Sequence, residues 1–169
     1  PGLKVVMPST AADAKGLLKS AIRDPNPVLF LEHRLLYSRT GPVPEGEHLL
    51  PLGSARVFRA GTDLTLIATG RTVALALSAA EKLSGEGIET EVIDPRTLSP
   101  ADTATLFRSV KRTNRLVVAS DGWRTCGYVA EIVAAVAEEC FYDLDAPIQR
   151  VCGLDVPMPV ASSGVMLEE

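Results

Sequence analysis

From Ala55 onward the chain repeats one rhythm, in which a short apolar run is followed by apolar residues at helical spacing. The strand candidates are Leu64–Thr69, Glu91–Ile93, Leu116–Ala119 and Ile148–Cys152, of which Leu116–Ala119 is apolar throughout. Between them, Val73, Leu77, Ala80 and Leu83 mark one helix face, closed by Gly85 and Gly87. Val129, Ile132, Val133, Val136 and Cys140 mark another. In a third interval Ser99 reads as an N-cap, Pro100 as the first helical residue and Asp102 as the completion of a capping box. An unbroken apolar run such as Leu116–Ala119 suits a strand covered on both faces. Strands alternating with helices predict a mostly parallel sheet between two helical layers. Ala55–Phe58 and Leu64–Thr69, joined by Gly61-Thr62-Asp63, predict one antiparallel edge strand. The expected fold class is α/β, a three-layer α/β/α domain with a five-stranded sheet over residues 55–169.

The preceding residues form a smaller unit. Lys4-Val5-Val6-Met7 reads as a strand, and Pro8-Ser9 as a stop with Ser9 as helix N-cap. Ala11, Ala14, Leu17, Leu18, Ala21 and Ile22 form a helical stripe. Val28-Leu29-Phe30-Leu31 is a second strand. Residues 1–36 are thus a strand-helix-strand unit, and residues 37–54 a linker. That linker holds three prolines and three glycines and has no hydrophobic period.

Composition removes several function classes. A net charge of -4 and the lack of a basic cluster argue against nucleic acid and membrane surfaces. No apolar run approaches the about 20 residues a membrane helix needs. No signal peptide is visible, and the start Pro1-Gly2-Leu3 suggests a fragment or a processed chain. Cys126, Cys140 and Cys152 lack metal-binding or disulfide spacing and suit reduced thiols in a cytoplasmic protein. His33 and His48 are the only histidines, so acid–base chemistry is thinly supplied.

The stretch Asp24-Pro25-Asn26-Pro27 stops the first helix abruptly. Pro25 has no N–H for the Ala21 carbonyl, and Pro27 has none for that of Arg23. Pro25 also pushes Asp24 out of helical geometry. Carbonyls freed at the negative end of a helix dipole suit water or a hard cation.

Five stretches together resemble one family. They are "DAKGLLKSAIRDPNPVLFLEHRLLY", "GIETEVIDPRTLSP", "VKRTNRLVVASDGW", "AEI" at 130–132 and "LDAPIQRVCGLDVPMP". The family is the beta subunit of the thiamine-diphosphate-dependent dehydrogenase component of 2-oxo acid dehydrogenase complexes. The resemblance implies that residues 1–36 are the end of a pyrimidine-binding domain and residues 55–169 a transketolase-type C-terminal domain. It implies a complex that decarboxylates a 2-oxo acid oxidatively and passes the acyl group to a lipoyl acyltransferase. It further implies an alpha subunit, a second beta subunit across a two-fold axis, and that acyltransferase as partners. Thiamine diphosphate would be held by the remainder of the enzyme, which leaves no catalytic and no cofactor-binding residue here. In pyruvate dehydrogenases the loop resembling "SAIRDPNP" holds a structural potassium ion, which places Ala21, Ile22, Asp24 and Asn26 as ligands. "SDGW" at 120–123 and "DVPMP" at 155–159 resemble the pyruvate enzymes. "EECF" and "RVCG" resemble the branched-chain enzyme, and "EHRLLY" and "IDPRT" acetoin dehydrogenase. The expected substrate is pyruvate, with acetoin next.

Other residues read more modestly. His33 is expected to be a structural hydrogen-bonding group and His48 solvated. Asp94 and Arg96 are expected to form a local ion pair that anchors a loop. "ATGRTVALAL" has one glycine where a dinucleotide fingerprint needs three. Trp123 is either an interface anchor or a packed loop residue. The chain is therefore expected to be part of an enzyme that by itself acts as a scaffold or an interaction module.

Overall fold

A computed structural model describes residues 2–157. Five strands make the larger sheet: β3 (Arg56–Arg59), β4 (Leu64–Ala68), β5 (Thr90–Asp94), β7 (Leu116–Trp123) and β8 (Gln149–Gly153). Their spatial order is β3-β5-β4-β7-β8. β3 runs antiparallel on the edge and the other neighbours are parallel. The antiparallel edge strand is as the sequence predicts, but its neighbour is not. The tight turn suggested a hairpin of β3 with β4, whereas β5 lies between them.

The reason is at Gly61. A Cβ there would strike the backbone of Thr90 and Glu91. The Thr62 and Asp63 amides both donate to the Glu89 carbonyl, at 3.0 and 2.9 Å. The turn therefore carries the chain across the start of β5 instead of folding it back on β3.

Alternation along the strands sorts the core into two layers. Leu66, Ala68 and Val92 face α2 (Thr72–Gly85) and pack on its Val73, Ala76 and Ala80. Ile67, Ile93 and Val118 point the other way, onto Leu106 and Val110 of α3 (Thr103–Thr113) and Val129, Ile132 and Val136 of α4 (Tyr128–Cys140). Helices on both faces give the expected three layers. Thr65 is a buried polar exception, and the Ser109 and Thr113 hydroxyls answer it at 2.7 and 2.6 Å.

The start of α3 differs from the expectation. Its N-cap is Asp102, which accepts the Thr105 N–H at 3.1 Å. Ser99 and Pro100 lie outside the helix, because Thr97–Ser99 forms a further strand, β6. β6 pairs antiparallel with β1 (Lys4–Val6), and β1 pairs parallel with β2 (Val28–Phe30). The N-terminal unit thus extends its own sheet with a strand from the larger domain. The end of the domain expected at residue 169, with Met158 and Pro159 of the "DVPMP" stretch, lies outside the described residues.

Helix α1 (Ala11–Arg23) lies across this junction. Its N-cap is Thr10, whose hydroxyl accepts the Asp13 N–H at 3.1 Å. Ser9, the expected cap, instead donates to Asp94 at 2.5 Å. Pro44, Gly46, Glu47 and Leu50 of the 37–54 segment bond α1. Leu50 and His48 sit against Gly16, where a Cβ would lie 2.6 Å from Leu50 Cγ. His48 is therefore half-buried rather than solvated.

Gly61→Ala should destabilise the chain by about 2–3 kcal/mol, the scale of overpacking against backbone that cannot move. Urea unfolding followed by circular dichroism measures it. An unchanged midpoint would mean that the turn does not cross β5 as described.

Candidate functional site

Open parallel sheets bind ligands outside the carboxyl ends of their strands, where the strand order reverses. Here the reversal lies between β4 and β7, and the N-terminal unit sits on that edge. Gly70, at φ +52°, follows β4 and receives the Met7 methyl, which would lie 2.5 Å from a Cβ there. The Met7 N–H donates to the Arg96 carbonyl at 2.8 Å.

The strongest polar cluster of the seam surrounds Arg96. Its guanidinium is buried and donates to the Ser54 carbonyl at 3.0 and 2.9 Å and to Asp13 Oδ1 at 3.3 Å. The Asp13 carboxylate is buried as well, and Arg56 approaches its other oxygen at 3.6 Å. Asp94 is fully buried and accepts the Ser9 hydroxyl and, at 2.8 Å, the Arg96 peptide N–H. Burial pushes its pKa up to about 6. The expected Asp94–Arg96 ion pair is therefore an N–H contact only, and the side chain of Arg96 holds α1 and the end of the linker. At φ +56° Arg96 turns sharply out of β5, which sends its guanidinium back under α1.

His33 makes the second link. Its Nδ1 accepts the Leu35 N–H at 3.2 Å and caps the short 3-10 turn Arg34–Leu36. Nε2 must then carry the proton, and it meets Asp121 of β7 at 2.7 Å. The expected structural role of His33 is what the geometry gives. Nearby, the Tyr37 hydroxyl donates to Glu32 at 2.9 Å, which holds the phenol above its ordinary pKa. These groups border a cleft of about 590 Å³, with Ser9, Thr10, Arg56 and Phe58 on its other walls. The Arg56 guanidinium lies 4.1 Å over the Phe58 ring.

The loop proposed for a cation lies elsewhere, at the far end of α1. Asp24 leaves the helix in an extended conformation, as Pro25 requires. Its own N–H closes onto the Ala21 carbonyl at 3.3 Å, so that oxygen is not left without a donor as the sequence suggested. The donor expected by Ile22, the Asn26 N–H, turns instead to Asp24 Oδ1 at 2.9 Å. The Asn26 side-chain amide reaches the same oxygen at 3.2 Å. Lys4 forms an ion pair with Asp24 Oδ2, and this hydrogen bond comes first among the causes that lower the Asp24 pKa. Ile22 and Asn26 are exposed; Ala21 and Asp24 are half-buried. The loop brings all four residues together, with Lys4 as the cation present.

Among the described residues no group of three or more His, Cys, Asp or Glu side chains could hold a metal ion. Cys126, Cys140 and Cys152 are free thiols. Trp123 is half-exposed, and its indole N–H donates to the Val156 carbonyl at 2.9 Å. No helix of the described residues is long and apolar enough to cross a membrane.

Residues 53–168 match the C-terminal domain of transketolase, and residues 1–40 match the transketolase pyrimidine-binding domain. The chain is 50% identical over 167 residues to the mitochondrial pyruvate dehydrogenase E1 component subunit beta-1 of Arabidopsis thaliana, covering 96% of this chain and 46% of that protein. It is 50% identical over 164 residues to the pyruvate dehydrogenase E1 component subunit beta of Rhizobium meliloti, covering 96% and 36%. The Rickettsia felis subunit beta is 49% identical over 161 residues, covering 95% and 49%. The chain spans about half the length of the curated relatives it matches, or less. A solved structure described as a split gene transketolase, inactive beta4 tetramer, superposes with a TM-score of 0.76 at 30% identity, covering 93% of this chain and 50% of that one.

Arg96→Ala should cost about 3–5 kcal/mol, because it leaves the Asp13 carboxylate buried beside a half-exposed Arg56 alone. Adding Asp13→Asn should recover part of that loss in denaturant unfolding, as coupled groups do. Additive losses would show that the two side chains are not partners.

Proposed function

The chain belongs to the transketolase C-terminal domain family, and from that premise we propose that it is the C-terminal part of the beta subunit of a thiamine-diphosphate-dependent pyruvate dehydrogenase component. Its role is to hold that subunit together, not to carry out chemistry. The observation that carries this reading is the occupied sheet edge. The crevice where such a sheet would take a ligand is bordered by Met7, Ser9 and His33 of the same chain, whose polar groups bond Arg96, Asp94 and Asp121. His33, Asp121, Asp13 and Arg96, the groups best suited to chemistry, already bond one another across the seam. The polar groups of the seam are paired with one another, so thiamine diphosphate would be held by the remainder of the enzyme. When bound to the whole enzyme it supplies the carbanion chemistry.

The same reading assigns pyruvate as substrate and a reducing cytoplasm as location. It assigns an alpha subunit, a second beta subunit and a lipoyl acyltransferase as partners. The division into residues 1–36, 37–54 and 55–169 follows it. It also assigns potassium to Ala21, Ile22, Asp24 and Asn26. Pro27 denies the Arg23 carbonyl a donor, and the Asn26 N–H has left that of Ile22. With Lys4 on the Asp24 carboxylate, main-chain oxygens would supply most of the coordination.

Two measurements check this. A chimera of the Rhizobium meliloti beta subunit carrying this segment in place of its own, mixed with the matching alpha subunit, should decarboxylate pyruvate. This chain alone, with thiamine diphosphate and magnesium, should not. A folded chimera that binds the alpha subunit but is inactive, or turnover by the chain alone, overturns the reading. Potassium should raise the thermal midpoint of the chimera relative to tetramethylammonium at equal ionic strength, and Pro25→Ala should shrink the rise. Equal midpoints in the two salts would remove the ion and leave a helix stop.

A further inference from the structure

We propose that Asp94 is a proton-operated latch on the seam, closed over the sheet edge when its carboxyl is neutral and loosened when that proton leaves. The geometry begins with charge. Asp13, Asp94 and Arg96 are each at least nine-tenths buried, and both nearby cations, Arg96 and Arg56, pair with Asp13, which leaves Asp94 without an ion-pair partner among the described residues. The buried Arg96 guanidinium is committed to Asp13 and to the Ser54 and Ala55 carbonyls. Asp94 is left with two neutral donors, the Ser9 hydroxyl at 2.5 Å and the Arg96 N–H at 2.8 Å. One of these comes from the N-terminal unit and the other from the strand end that supports it. One proton on Asp94 removes that unpaired charge, with the Ser9 hydroxyl turning from donor to acceptor.

The groups around Asp94 act in both directions. From the entry to α1 come Ser9, Thr10 and Asp13, and from β3 comes Arg56, half-exposed and 3.6 Å from Asp13. Arg96 follows Asp94 itself. From α4 come Tyr128 and Glu131. The Tyr128 hydroxyl is buried with no hydrogen-bond partner among the described residues. Burial, then Glu131 and Asp94, push its pKa up to about 12, so it stays neutral throughout. Desolvation is the largest effect on Asp94, and Asp13 adds to it, while Ser9 and the Arg96 N–H oppose it. The closed seam thus holds its proton to about pH 6, against 3.8 for a free aspartate. A folded-state pKa above the unfolded one favours closure fully below the lower value, and that advantage fades as pH rises through the upper one.

Amide hydrogen exchange of the chain reads the latch directly. The Met7 N–H bonds Arg96 across the seam, whereas the amides of Leu66 and Ile67 lie within β4 and report the domain as a whole. Between pH 4.5 and 7, protection of Met7 relative to those two should fall by roughly 20-fold after correction for intrinsic rates. Asp94→Asn should abolish that fall and keep Met7 protected at pH 7. Carboxyl-carbon NMR should show Asp94 titrating near 6. Ser9→Ala, which removes a donor to the charged form, should move that midpoint up, and Asp13→Asn, which removes a negative neighbour, should move it down. A flat Met7 response, an undiminished fall in Asp94→Asn, or a Ser9→Ala midpoint that moves down would each overturn the proposal. Should Asp94→Asn not fold, the Ser9→Ala and Asp13→Asn midpoints decide it.

Discussion

Everything on the carboxyl edge of the sheet depends on where the Arg96 guanidinium goes. A left-handed residue directly after β5 reverses the chain and sends a long cation beneath α1. There it meets a buried carboxylate of α1 and the main-chain carbonyls of the adjacent Ser54 and Ala55. A buried charge is tolerated only when paired and hydrogen-bonded, so Asp13 cannot leave without stranding Arg96, nor Arg96 without stranding Asp13. The pair adds little favourable energy beyond a packed apolar equivalent. Its effect is on register: it fixes the rotation of α1 against β3 and β5, and with it the strand pairing of β1 with β6.

That edge of the sheet is covered by the chain's own N-terminal unit. In open α/β sheets the crevice at the strand-order reversal is the natural ligand site, and here Gly70 accepts a methionine side chain instead. The remaining polar groups are consumed in the same way. His33 is fixed as one tautomer by a main-chain amide on one side and Asp121 on the other. These are well-ordered polar contacts of the kind that often mark catalysis, yet each joins two parts of this chain. Family members are about twice as long or longer.

Much of this could be read from the sequence, and the gaps have physical causes. The helical faces and the buried strands follow from periodicity, since burial on both sides selects unbroken apolar runs. Asp24 is extended because the proline after it leaves no alternative. The misreadings concern short range against long range. Ser9 and Thr10 are both good caps, and a carboxylate 85 positions away claims the first. Ser99-Pro100 carries a strong local helix signal, but Thr97–Ser99 is taken by β1, which lies more than 90 residues earlier in the chain and which no local pattern announces. The turn at Gly61 looks like a hairpin until the backbone it must cross is known. The candidate cation loop was legible in its prolines, but the Lys4 ammonium on Asp24 was not.

The N-terminal unit and the larger domain are one body joined through the seam rather than two units on a tether. Residues 37–47 are exposed throughout, so a single protease site placed at 41–46 can be cut without touching the seam. After cleavage under native conditions, gel filtration should show the two pieces travelling together, with His33 and Asp121 still in contact by NMR. Release of the N-terminal piece from an otherwise folded domain would contradict the account.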